Sequence, residues 1–333
     1  MTSAARPATD RPEISTVDFE NRVCLGCANF GGFGSNPHLV GRGDSEVDAR
    51  RLLDQAWDLG IRWFDTADAY ASGASEAIIG RWMKGSGKRP RLTTKTFNAM
   101  SRNGDKGLSP ARIERQLHGS LARLQTTEVD LYLAHEFDAV TPVAETVDCL
   151  ERCRERGYIA AYGASNFDSQ QLNAYSSGSV ALLQNSYSLL DRKDDGGVID
   201  QCVEAGIAYQ AYSPLAGGWL TAKYRIGKRP SSRSRLAVKP DPYPRLDDQQ
   251  VHDAVRRLES EARMRGVSTA GLALAWVLSD ARVASVVIGP RRPDHFVALQ
   301  EALSLRLDQE ERRRLADVFP VRTPNAQVEV VPP

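Results

Sequence analysis

The chain has 333 residues, with 43 Lys+Arg against 42 Asp+Glu, 41% hydrophobic and 7% aromatic residues, and 5 Cys. A net charge of +1 argues against a uniformly basic nucleic-acid binder or a polybasic membrane protein, and no run approaches the ~20 apolar residues that span a bilayer. The length accommodates either two ordinary domains or one large α/β barrel.

Residues 1–20 are polar, contain Arg6, Pro7, Arg11 and Pro12, and lack the apolar stretch of a secretory signal. They are expected to form an N-terminal arm on a cytoplasmic protein. The body runs over 21–320, and 321–333 form a C-terminal tail.

The first strand is expected over 23–28. It carries Cys24 and Cys27, a C-x-x-C, but strand positions three apart face opposite sides, and no second cysteine or histidine pair completes a zinc set. No metal is expected, and all the cysteines read as reduced packing residues. Over 44–59, Val47, Leu52, Leu53, Ala56 and Trp57 share one helical face. Further strands are expected at 63–67, 91–95, 129–135, 159–165, 182–187, 208–214 and 285–289. Between them, Ser109-Pro110 and Thr141-Pro142 each look like an N-cap followed by Pro at the first helical position. Val143, Val147, Leu150 and Cys153 form a buried stripe, and Asp168 with Gln171 has capping-box spacing. Helices over 247–265 and 268–279 precede the last strand.

Eight strand–helix units indicate a parallel sheet with crossover helices. The expected fold is α/β, a (β/α)8 TIM barrel with extra helices; an open doubly wound sheet is the competitor. Functional groups should then lie at the C-terminal ends of the strands. Residues 221–246 break the rhythm as a long loop after strand 7. From Lys223 to Arg245 they hold eight basic residues and one acid, Asp241, so a local charge of +7 hides inside the total of +1.

Strand two continues through Asp65, Thr66, Ala67, Asp68, Ala69 and Tyr70, strand three ends at Lys95, and strand four ends at His135. Four polar groups thus fall at three consecutive strand ends. With these pieces, FDTADAY and the following GASEAIIG, TTK at Lys95, VDLYLAH at His135, YGASN at 162–166, QNSYSLLDR from Gln184 and AYSPLAGGWLTAKY from Ala211, the chain resembles the aldo-keto reductase superfamily over nearly all of its length.

The resemblance implies an NADPH-dependent reduction of an aldehyde or ketone, with a catalytic tetrad of Asp65, Tyr70, Lys95 and His135. The chemistry is coherent: hydride addition to a carbonyl leaves an alkoxide that needs a proton. A phenol of pKa ~10 can supply it, more readily if a neighbouring ammonium lowers that value. Tyr70 would be the acid, Lys95 the ammonium held by Asp65, and His135 a neutral donor to the carbonyl. Asp68, between tetrad members, carries no role and reads as solvated.

The resemblance also implies a nicotinamide cofactor, NADPH, without a Rossmann motif. Gly31-Gly32-Phe33-Gly34 lacks the full G-x-G-x-x-G. Ser165, Asn166 and Gln184 would hold the carboxamide, Tyr212 would stack on the ring, and Ser213, Leu215, Gly217, Lys223 and Arg233 or Arg235 would serve the phosphates. Gly289, Arg291, Arg292 and His295 would take the adenosine end, the arginines suiting a 2′-phosphate. Ala298 and Leu299 stand where relatives place Glu and Asn toward adenine.

Phe30, Phe33, Trp219 and the basic loop are expected to line the pocket of a small-molecule carbonyl substrate, for which a sugar or nucleotide-sugar carbonyl is one class. No nucleic-acid or membrane partner is expected. An alternative from another class is a redox-sensing subunit resembling potassium-channel β-subunits, in which the His135 position is typically Asn. A metal-dependent isomerase or a hydrolase on the same barrel would need ligand clusters that five scattered histidines do not supply.

Overall fold

The computed structural model describes residues 22–175, 178–232, 234–240 and 246–320. Eight strands, β1 (Val23–Gly26), β2 (Trp63–Asp65), β3 (Arg91–Thr96), β4 (Val129–Ala134), β5 (Ile159–Ser165), β6 (Val180–Ser186), β7 (Ala208–Tyr212) and β8 (Val283–Ile288), pair in parallel and in sequence order. Cys24 pairs with both Trp63 of β2 and Val287 of β8, which closes the barrel and excludes the open sheet.

Period-two alternation sorts each strand's side chains between the interior and the helical layer. Cys24, Trp63, Leu131, Ala161 and Leu182 fill the interior with a small apolar plug, while Leu25, Phe64, Tyr132, Tyr162 and Leu183 belong to the larger core beneath the helices. Cys24 and Cys27 fall in different clusters, as their spacing requires, and all five cysteines are free and buried. Two positions beyond the plug, the interior turns polar: Asp65 follows Trp63, Gln184 follows Leu182, and Gln210 follows Ala208.

The outer layer is α1 (Glu46–Asp58), α2 (Ala74–Ser86), α3 (Pro110–Leu124), α4 (Val143–Glu155), α5 (Ser169–Ala174) and α6 (Val198–Glu204), then α7 (Arg235–Val238), α8 (Gln249–Met264), α9 (Thr269–Leu278), α10 (Phe296–Ser304) and α11 (Gln309–Asp317). Asp168 and Gln171 form a reciprocal capping box on α5, and Ser109 stands at the N-cap position of α3 without a side-chain capping bond, with Pro110 at the first helical position. The Thr141-Pro142 expectation is off by one residue. Pro142 is the N-cap of α4, and the Thr141 hydroxyl donates to Asp138 Oδ2 at 2.7 Å. The basic loop is not wholly irregular, since α7 gives it one helical turn capped by Ser234.

At the N-terminal end of the barrel, Arg22 donates to the carbonyls of Leu278 (2.7 Å), Asp280 (2.8 Å) and Val283. Burial alone would raise the Asp280 carboxyl, but hydrogen bonds from Arg282 and the charge of Arg312 hold it at about 2. Among the described residues no helix is long and apolar enough to cross a membrane.

Candidate active site

The strand ends bring Asp65, Tyr70, Lys95 and His135 together. Lys95 Nζ donates to Asp65 Oδ1 at 2.6 Å and to the Thr66 carbonyl at 2.9 Å, and it lies 5.1 Å from the centre of the Tyr70 ring. The Tyr70 and His135 rings meet edge to face at 5.5 Å. Tyr70 opens a tight turn in which Ala71 and Ser72 take φ of 49° and 55°. That left-handed backbone costs roughly 1–3 kcal/mol per residue and is held by Ala71 N–H donating to Gly34 O and by Ser75 Oγ donating to Cys27 O.

Burial opposes the charge on Lys95, yet Asp65 and Tyr70 more than offset this and its pKa is raised. Burial also raises the Tyr70 phenol, and the opposing charge of Lys95 does not reverse it, so the expected lowering is not what the structure gives. Desolvation of the phenolate outweighs one ammonium, and Tyr70 stays protonated at neutral pH. Burial and the charges of Lys95 and Lys239 push His135 well below its ordinary value, leaving it neutral. Its Nδ1 is buried and has no hydrogen-bond partner among the described residues.

Asp68 is a correction. It is 0% exposed, accepts from Thr96 Oγ1 at 2.7 Å and lies 4.0 Å from Arg112. The solvated reading fails because the chain after β2 turns inward under α3 and carries Asp68 with it.

Asn166 donates to the His135 carbonyl at 3.0 Å, to Glu136 Oε1 at 3.0 Å and to Ser165 Oγ at 3.3 Å, and accepts from the Tyr212 hydroxyl at 2.6 Å. Burial raises Glu136 to about 7, against Lys193 and Asn166. Gln184 reaches across the barrel, donating to Asp65 Oδ2 at 2.8 Å and to Gln210 Oε1 at 2.7 Å. Ser165, Asn166, Gln184 and Tyr212 therefore share one wall with the tetrad. Neither Glu136 nor Gln210 was singled out from the sequence. The available signal for Gln210 was a polar residue on the interior phase of a strand.

Around the next rim, Ser213, Ala216, Gly217 and Gly218 all have positive φ, which turns the chain tightly after Leu215. A Cβ on Gly218 would lie 2.3 Å from Lys223 Nζ, so the glycine admits that ammonium. Burial and the charges of Arg291 and Arg292 lower Lys223. Arg291 pairs with the buried Asp44 at 3.2 Å, and its guanidinium lies 4.9 Å from the Phe33 ring, with Arg235 5.8 Å from the same ring. Arg292 is held by Asp294, and His295 Nδ1 accepts the Arg291 backbone N–H. A cavity of about 300 Å³ lies between Gly41, Arg42, Gly43, Ser232, Val238 and Arg291. A lysine with two arginines near enough to act on it fits a phosphate-bearing ligand. A nicotinamide dinucleotide suits these residues, with Asn166, Gln184 and Tyr212 at one end and Lys223 and Arg291 at the other.

The other expected residues have the following surroundings. Trp219 packs on Tyr224 and His252 at 5.1 and 5.3 Å between ring centres. Phe30 is buried in the core beneath the helices, and Phe33 supports Arg291 and Arg235. Leu299 and Ala298 pack into the hydrophobic core, which explains their apolar identity. Gly289 follows β8, and a Cβ there would meet Asn29 Nδ2 at 4.0 Å. Arg233 lies outside the described residues.

A family model for the aldo/keto reductase family matches residues 22–319. The chain is 34% identical over 322 residues to an uncharacterized oxidoreductase, YrpG, of Bacillus subtilis (strain 168), covering 90% of this chain and 92% of that protein. It is 34% identical over 292 residues to a probable voltage-gated potassium channel subunit beta of Oryza sativa subsp. japonica, covering 83% and 84%. Its structure is similar to that of the glycerol dehydrogenase AKR11B4 from Gluconobacter oxydans, with a TM-score of 0.77 and 25% identity over 92% of this chain and 95% of that one. With the closed barrel and seven ordered motifs, these matches establish that the chain belongs to the aldo/keto reductase family and is an NAD(P)H-dependent oxidoreductase.

Proposed function

We propose that the protein reduces an aldehyde or ketone to an alcohol with NADPH, Tyr70 supplying the proton. The observation that carries this reading is the Tyr70 ring packed 5.1 Å from the Lys95 ammonium and edge to face with His135 at 5.5 Å, with Lys95 held by Asp65 at 2.6 Å. When bound, the nicotinamide supplies hydride to the carbonyl carbon. The residues do the rest. His135 donates to the carbonyl oxygen and orients it, and Tyr70 passes its proton to the same oxygen as negative charge grows there. Lys95 favours the resulting phenolate, and Asp65 keeps Lys95 charged and aimed. The high resting pKa of Tyr70 suits the reductive direction, which needs the phenol loaded before each turnover.

Single-turnover oxidation of NADPH by the purified protein with a generic aldehyde tests this. Tyr70→Phe should slow it by about 100-fold or more, and the wild type should prefer NADPH to NADH. Equal rates for Tyr70→Phe and wild type would sink the reading. Similarity to the channel subunit supports a second reading, a slow redox sensor that binds NADPH tightly and turns over little; the same assay separates the two by rate.

A further inference from the structure

A buried polar row crosses the barrel interior. Gln184 on β6, Gln210 on β7 and Ser285 on β8 are register neighbours, all buried. Gln210 Nε2 donates to Ser285 Oγ at 2.7 Å, Gln184 Nε2 donates to Gln210 Oε1 at 2.7 Å, and the other Gln184 N–H reaches Asp65 Oδ2 at 2.8 Å. Asp65 Oδ1 receives Lys95. The direction of every bond follows from the end at Asp65. A carboxylate only accepts, so Gln184 must present its NH2 there. Its second N–H then needs an acceptor, which Gln210 provides only while its own NH2 points to Ser285. With both N–H groups committed, Gln184 Oε1 accepts no hydrogen bond among the described residues.

We infer that Gln210 is a positioning residue that holds the amide plane of Gln184 by accepting its second N–H, so that Gln184 braces Asp65 with its NH2 and offers Oε1 to the N–H of the cofactor's carboxamide. This assignment rests on the reading of Gln184 as a carboxamide contact in the proposed reductase. Without Gln210 the second Gln184 N–H loses its acceptor: the NH2 stays with Asp65, which can only accept, but the amide plane is free to rotate and Oε1 swings away from the carboxamide. One broken link therefore loosens the brace on Asp65 and disturbs the nicotinamide end of the cofactor site.

The test uses Gln210→Met, which keeps length and volume but not hydrogen bonding, and Gln210→Glu. Glutamate keeps an acceptor toward Gln184 in either protonation state, and when neutral it also donates to Ser285. Dissociation constants for NADPH and for its reduced 3-acetylpyridine analogue, which lacks the carboxamide NH2, are read by fluorescence, alongside kcat and KM.

Wild type should bind NADPH about tenfold tighter than the analogue, the worth of one well-made buried hydrogen bond. Gln210→Met should bring that ratio to within about twofold and lower kcat by about fivefold to tenfold, with substrate KM nearly unchanged. Gln210→Glu should retain both values. Ser285→Ala, which removes only the acceptor of the Gln210 NH2, should move in the same direction as the Met variant and stands in for it if that variant does not fold. An unchanged NADPH-to-analogue ratio in Gln210→Met or Ser285→Ala overturns the assignment, as does equal loss in the Met and Glu variants. Failure of the wild type to bind either dinucleotide would instead overturn the cofactor reading, and this assignment with it.

Discussion

Asp68 illustrates how little a residue's neighbours in sequence say about its surroundings. Burial raises its carboxyl to about 7 despite the Thr96 hydrogen bond, and the charge of Glu76 pushes the same way against Arg112. An unfolded Asp titrates near 4 (~3.9), so between roughly pH 4 and 7 the folded state holds a proton that the unfolded state has lost. Stability contributed by this group is therefore complete at low pH, falls across that window and stays low above it. Asp68→Asn should remove the slope. Its thermal midpoint should exceed wild type at pH 8 by roughly 5 °C and converge on it only at about pH 4 and below, given about 1.4 kcal/mol per pKa unit before relaxation. Parallel midpoints for the two proteins across that range would overturn the claim. Asp65, Lys95 and His135 were legible because they lie at or beside strand ends, whereas Tyr70 stands five residues past β2 in a turn and was placed by the family resemblance and not by periodicity. Asp68 lies past the strand, in a turn whose path is set by Thr96 and Arg112 from other elements, and no local pattern encodes that. Likewise, Tyr70 could be located from sequence, but the sign of its pKa shift depends on how completely water is excluded.

At the scale of elements, the helices were legible through caps and stripes, while their mutual approach was not. Along α2, Gly80 and Gly85 look alike in the sequence. The first lies at the crossing with α3, where a Cβ would sit 2.3 Å from the Arg123 carbonyl oxygen and 2.8 Å from the Leu124 carbonyl carbon. The second has only an Arg50 guanidinium nitrogen, 3.8 Å away. Gly80→Ala must push α2 away from α3 and should cost about 2 kcal/mol or more, whereas Gly85→Ala should gain up to about 1 kcal/mol from helix propensity. Urea midpoints followed by circular dichroism check both; equal effects would mean that the crossing tolerates a wider gap. The Thr141-Pro142 miss has a similar origin. Asp138 collects the Leu108 and Val140 N–H groups together with the Thr141 hydroxyl, so a tertiary hub outcompetes the helix end for that side chain.

For the whole molecule, the barrel followed from eight repeats, but the charge distribution needed the fold. The +1 total gave no hint that Lys223, Arg291 and Arg292 converge across loops distant in sequence. Charges gathered to that degree predict a cofactor affinity that weakens with ionic strength. The NADPH dissociation constant should rise severalfold between roughly 0.05 and 0.5 M salt, and Lys223→Met should weaken binding at low salt while flattening the dependence. A salt-independent constant would remove the phosphates from this rim.

The pairing of β1 with β8 has a consequence for biogenesis. Strands made first wait for the strand made last, and the three carbonyls that Arg22 engages also belong to that late segment. Until residues 283–288 leave the ribosome, the nascent sheet has two open edges, one along β1 and one along β7, both rich in unpaired backbone donors and acceptors. Chains stalled or truncated before that point should be the aggregation-prone species of this protein, and recruitment of a chaperone to them should cease once β8 is in place.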